Sequence, residues 1–86
     1  METLYKTTGE KEKISPKNGK RFTLEELQEL VGGYIEYIHI GDHILVVNEE
    51  GNLLEQPYNP GASRLVAQFG YGEIVGDAVY CRRDEA

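Results

Sequence analysis

Tryptophan is absent from this chain, and cysteine occurs once, as Cys81. A lone cysteine cannot close an internal disulfide, and it excludes a zinc site built on several thiolates. Cys81 falls on an expected strand, where a thiol packs as a small apolar group. Long apolar runs are missing too. The longest is Ile44 to Val47, far short of the ~20 residues a membrane helix needs. The opening segment, Met1 to Tyr5, has no basic stretch followed by an apolar one. No secretory leader is therefore expected, and the expected compartment is a reducing cytoplasm.

Basic residues are nearly absent from most of the chain. Residues 22–81 hold Arg64 alone against ten acidic side chains, a balance of −9. Residues 1–21 hold six basic and three acidic side chains, giving +3, and residues 82–86 balance, so the total is −6. A body this acidic repels nucleic acid and favours a basic protein partner, while the net charge also keeps a small protein soluble.

Motifs that organise catalysis are lacking as well: the sequence contains no G-x-S-x-G, no phosphate-binding P-loop and no H-E-x-x-H. Gly70-Tyr71-Gly72 has no helix after it, so it lacks the dipole that phosphate cradles use. No catalytic residue is assigned, no cofactor is expected, and the chain reads as a non-enzyme. His39, Asp42 and His43 are the one cluster with metal-ligand chemistry. They flank a tight turn that offsets the two imidazoles, so they are weak candidates and no metal is expected.

What remains is one domain, residues 1–86, with 40% hydrophobic content and six tyrosines. Thr3 to Thr8 and Glu12 to Ile14 flank Gly9-Glu10 and read as a hairpin. Thr23 followed by Glu26 makes a capping box, with Phe22 and Leu27 placed as a hydrophobic staple. Leu24, Leu27, Leu30 and Val31 then form one apolar stripe, and Gly32 closes the helix over 23–31. Tyr34 to Ile40 and His43 to Asn48 form a second hairpin around Gly41-Asp42. Its second arm, apolar throughout Ile44 to Val47, suggests a strand covered on both faces. Leu53-Leu54 begins a short strand that Pro57 ends, and its edge at Leu53 to Gln56 could pair two copies into a homodimer. Asn59 caps a second helix with Pro60 at its first position and Ala62, Leu65, Val66 and Phe69 on one face. Glu73 to Arg82 supplies the last strand. The expected fold is α+β, a small mostly antiparallel sheet with two short helices on one face, in the order ββ-α-βββ-α-β.

Two surface features are candidate partner-binding sites. Glu25, Glu26 and Glu29 make a negative helix face, extended by Glu36, Glu49, Glu50 and Glu55 if the sheet brings them near. Carboxylates spaced over such a face can imitate phosphates. Tyr34, Tyr58 and Tyr71 belong to a tyrosine set too large for a thin core to hide, and exposed tyrosine favours interfaces.

Phe22-Thr23-Leu24-Glu25-Glu26-Leu27-Gln28-Glu29-Leu30-Val31-Gly32-Gly33-Tyr34-Ile35-Glu36 resembles a family of small phage, prophage and plasmid proteins of undefined function. So do Val47-Asn48-Glu49-Glu50-Gly51, Pro57-Tyr58-Asn59 and Ile74-Val75-Gly76-Asp77, in this order, and together they span about residues 3–82. The resemblance carries no site residues. It implies an accessory protein of a mobile element, and an anti-CRISPR or other anti-defence inhibitor acting on a host defence protein fits that context. The expectation from another class is a small-ligand domain, such as a nucleotide-signal binder, or a metal-binding one centred on the His39–His43 turn.

Overall fold

The computed structural model describes residues 2–86, so Met1, which opens the segment read above for a leader, lies outside the described residues. The elements are β1 (Thr3–Tyr5), β2 (Lys11–Lys13), α1 (Leu24–Val31), β3 (Ile35–Ile40), β4 (His43–Asn48), α2 (Pro60–Ala67) and β5 (Ala78–Arg82), with a closing 3-10 turn at Arg83–Glu85. The strands form one antiparallel sheet in the order β2-β1-β5-β4-β3. The expected α+β class and order of elements hold, with the third member of the βββ run reduced to the single bridge Tyr58↔Val75. Among the described residues no helix is long and apolar enough to cross a membrane.

Leu53 and Leu54, expected to open that third strand, lie in a turn. Asn48 Oδ1 accepts from Glu50 N–H, Leu54 N–H bonds Glu50 C=O, and Gln56 N–H bonds Gly51 C=O. Local hydrogen bonding by the Asn side chain wins here over the modest strand preference of two leucines. The expected homodimer edge at 53–56 therefore has no strand behind it.

The helices sit on opposite faces of the sheet, not on one. Leu27 and Val31 of α1 pack with Phe22, Leu4, Ile44, Val46, Val79 and Cys81. Ala62 and Val66 of α2 pack with Ile40, Leu45, Val47, Ile74 and Ala78. Residues of β4 alternate between the two cores because successive strand side chains point to opposite faces. The unbroken Ile44–Val47 run is the signature of that arrangement.

The start of α1 is as its sequence requires. Thr23 Oγ1 accepts from Glu26 N–H at 3.1 Å and Glu26 Oε1 accepts from Thr23 N–H at 2.9 Å. Gly32 ends the helix at φ 80°, a left-handed conformation that costs a residue with Cβ roughly 1–2 kcal/mol. Leu24 departs from the expected stripe and is 54% exposed, because Phe22 from before the cap already occupies the core beside Leu27. Phe69 departs similarly. It follows the end of α2 at Ala67, out of phase with the helix, and is exposed.

Candidate functional site: an acidic surface and a tyrosine groove

Glu25 and Glu29 lie one turn apart on the solvent side of α1 and are exposed. Glu26, expected beside them, is tied down. Its Oε1 closes the capping box and its Oε2 accepts from Lys17 N–H at 3.0 Å. The amides of Thr23 and Lys17 hold its carboxyl below the usual glutamate range. Glu26 therefore belongs to the helix start and not to a free acidic face.

Glu49 and Glu50 follow β4 beyond the C-terminal end of α1, where Asn48 Nδ2 donates to Val31 C=O. Tyr34, the most exposed tyrosine at 65%, joins this group, since Glu49 N–H bonds its carbonyl. Leu53 and Leu54 are exposed on the same turn that carries Glu55. Glu36 does not join. It pairs with Val47 on the α2 face of the sheet, away from Glu25 and Glu29. The two ion pairs seen among the described residues, Lys6–Glu12 and Arg82–Asp84, both lie outside residues 22–81. Among the described residues no carboxylate of that stretch is neutralised by a cation at contact distance. Like charges left in this state raise the local potential and steer cations.

Tyr58 and Tyr71 come together on the α2 side, apart from Tyr34. With Pro60, Ser63, Arg64, Ala67, Gly72 and Glu73 they line a groove of about 460 Å³. Tyr71 Oη donates to His39 C=O at 3.2 Å, which fixes the ring against the outer strand β3. Ser63 cannot reach out from the floor, because its Oγ bonds both the N–H and the C=O of Ile74. Arg64 was missed as a site residue. The signal was its isolation: it is the one basic residue between positions 22 and 81.

The histidine turn does not assemble a site. His39 pairs with Ile44, a residue of the α1 face, while His43 pairs with Ile40 on the other face. His43 stacks on Tyr80 at 4.8 Å and His39 meets Tyr37 edge-on at 6.5 Å. A four-residue offset across a two-residue turn places the imidazoles on opposite sides of the ribbon. Among the described residues no three His, Cys, Asp or Glu side chains converge as metal ligands. Cys81 is fully buried in the α1-side core, and burial, then Glu85 and Glu2, push its thiol up to about 12.

Three of the fragments quoted above for their resemblance, Val47–Gly51, Pro57–Asn59 and Ile74–Asp77, meet in one place. Asn59 N–H bonds Ile74 C=O, Gly76 N–H bonds Pro57 C=O, and Tyr58 bridges Val75. A Cβ at Gly51 would touch Val75 at 2.9 Å, and one at Gly76 would collide with the Gln56 side chain. These motifs build the scaffold behind the tyrosine groove.

No curated protein and no solved structure matches the chain. A protein-family model matches residues 1–86, the whole length, and the chain belongs to the family described as Domain of unknown function (DUF3846).

Proposed function

We propose that this protein works as a non-enzymatic binding protein that engages a basic, nucleic-acid-binding protein through its acidic surface. One observation carries the reading: every carboxylate of residues 22–81 lacks an ion-pair partner among the described residues. Glu25, Glu29, Glu49 and Glu50 supply the charge, and Tyr34, Leu53 and Leu54 supply contact area beside it. Aromatic and apolar groups give the short-range part of such an interface, while the charge gives rate and orientation. Blocking a host defence nuclease, as an anti-CRISPR protein of a mobile element does, is the role this chemistry suits in a host cytoplasm.

The test is nuclease inhibition. DNA cleavage by a purified CRISPR effector, or another defence nuclease of the host, is measured with wild type and with Glu25→Lys/Glu29→Lys. Glu26 is left alone because it caps α1. Wild type should inhibit best at low salt, and the double variant should associate at least ~10-fold more slowly, since exposed charges act over roughly 8–10 Å at physiological ionic strength. Inhibition of equal strength by both proteins at both salts would remove the acidic surface from the mechanism.

A further inference from the structure

The tyrosine groove does not end at Arg64. A second hollow of about 200 Å³ begins on the other side of that residue, lined by Tyr5, Lys11, Gly61, Arg64, Leu65 and Gln68. Arg64 thus stands between two depressions, with two tyrosine rings in one and a second cation in the other. Neither cation has a carboxylate partner among the described residues. Arg64 makes no ion pair, and Lys11 lies over the Tyr5 ring at 5.5 Å. In a chain of net charge −6, the α2 face thus sets aromatic walls beside two cations that no carboxylate pairs among the described residues.

We propose that this face binds a nucleotide, with its base in the Tyr58–Tyr71 groove and its phosphates over Arg64 toward Lys11. Aromatic faces stack nucleobases without regard to sequence, and the planar guanidinium grips phosphate oxygens in pairs. The small residues Ser63, Ala67 and Gly72 line the groove and leave room for a planar ring. The direction follows from charge. Glu73 lines only the tyrosine groove, where a carboxylate repels phosphate and accepts from an exocyclic amine. Lys11 lines only the second hollow. The site is separate from the acidic surface of α1, which lies across the sheet, so it stands or falls independently of partner binding.

The test uses adenosine diphosphate as the probe, with adenosine and inorganic pyrophosphate as its two halves. Binding is followed by amide shifts in two-dimensional NMR and by tyrosine emission, which no tryptophan obscures. The diphosphate should bind with a Kd on the order of 0.1 mM, the weak range expected of an open groove, and shift Tyr58, Arg64, Tyr71 and Lys11. Arg64→Gln should weaken it about tenfold or more, Lys11→Gln less, and both exposed variants should melt like wild type. Adenosine and pyrophosphate alone should each bind at least ~10-fold more weakly. Absence of shifts at ~5 mM diphosphate, a Kd unchanged in Arg64→Gln, or adenosine binding as tightly as the diphosphate would each overturn the proposal. The first of these outcomes would leave the groove to a peptide side chain of a protein partner.

Discussion

Asn59 is fully buried and its side chain makes three hydrogen bonds: Oδ1 accepts from Ala62 N–H, and Nδ2 donates to Tyr5 C=O and Gly76 C=O. Any of Ser, Thr or Asp could cap α2, but only an amide can also donate to two buried carbonyls. Asn59→Asp keeps the cap and turns a donor into a carboxylate facing two acceptors, so it should cost about 3 kcal/mol or more. Urea denaturation checks this, and a midpoint equal to wild type would show that the buried amide holds nothing. Glu26 gives the pH-dependent counterpart. Its folded pKa is lowered by the Thr23 and Lys17 amides, so its contribution is complete above the ordinary carboxylate range and is lost as pH falls through the depressed value. The stability gap between wild type and Glu26→Gln should therefore be widest near neutrality and close in acid. A gap that stays constant from pH 7 to pH 3 would contradict the assignment.

At the level of elements, α1 is specified at both ends and anchored by one residue. Leu27 is fully buried between Phe22 and the α1 face of the sheet. Leu27→Ala removes that packing and leaves a cavity, at roughly 2–5 kcal/mol. Thr23→Ala removes one cap bond at a cost of about 1 kcal/mol. Thermal melts of the two variants should rank in that order, and an unchanged melting temperature for Leu27→Ala would refute the core assignment. The turn at 51–55 shows the opposite case, an element misread from composition. Its leucines face solvent because hydrogen bonds to Asn48 and Gly51 fold the backbone into a turn with no cross-strand partner.

Across the whole molecule, the strand order sets the first hairpin and β3 at opposite edges of the sheet. The N-terminal hairpin holds three basic and three acidic side chains in residues 1–13, and β3 carries Glu36. That hairpin is more than an appendage. Leu4 belongs to the core, β1 covers the edge of β5, and Tyr5 C=O satisfies Asn59. Deleting residues 1–13 should therefore lower the melting temperature by at least about 10 °C, since each lost kcal/mol is worth roughly 4–8 °C in a domain of this size. Circular dichroism against temperature checks it, and a melt matching the full chain would make the hairpin dispensable. The same deletion removes Lys11 and should weaken diphosphate binding even where the remainder folds.

Local chemistry was legible in the chain itself, because caps, turns and the apolar run of β4 act within a few residues of one another. Thr23 with Glu26, Gly32, Asn59 with Pro60, and the two hairpins all stand where their side chains place them. Ile44 to Val47 even implied two covered faces, although the helices were expected on one. Contacts between distant segments were not legible. Sequence spacing could put Glu26 on the same turn as Glu25 but could not reveal that Lys17 N–H claims it. Nor could it separate His39 from His43, divide Tyr34 from Tyr58 and Tyr71, or set Lys11 across from Arg64. Strand pairing decided those matters: which face a side chain occupies depends on register and sheet order, and both are fixed only when residues far apart in sequence pack together.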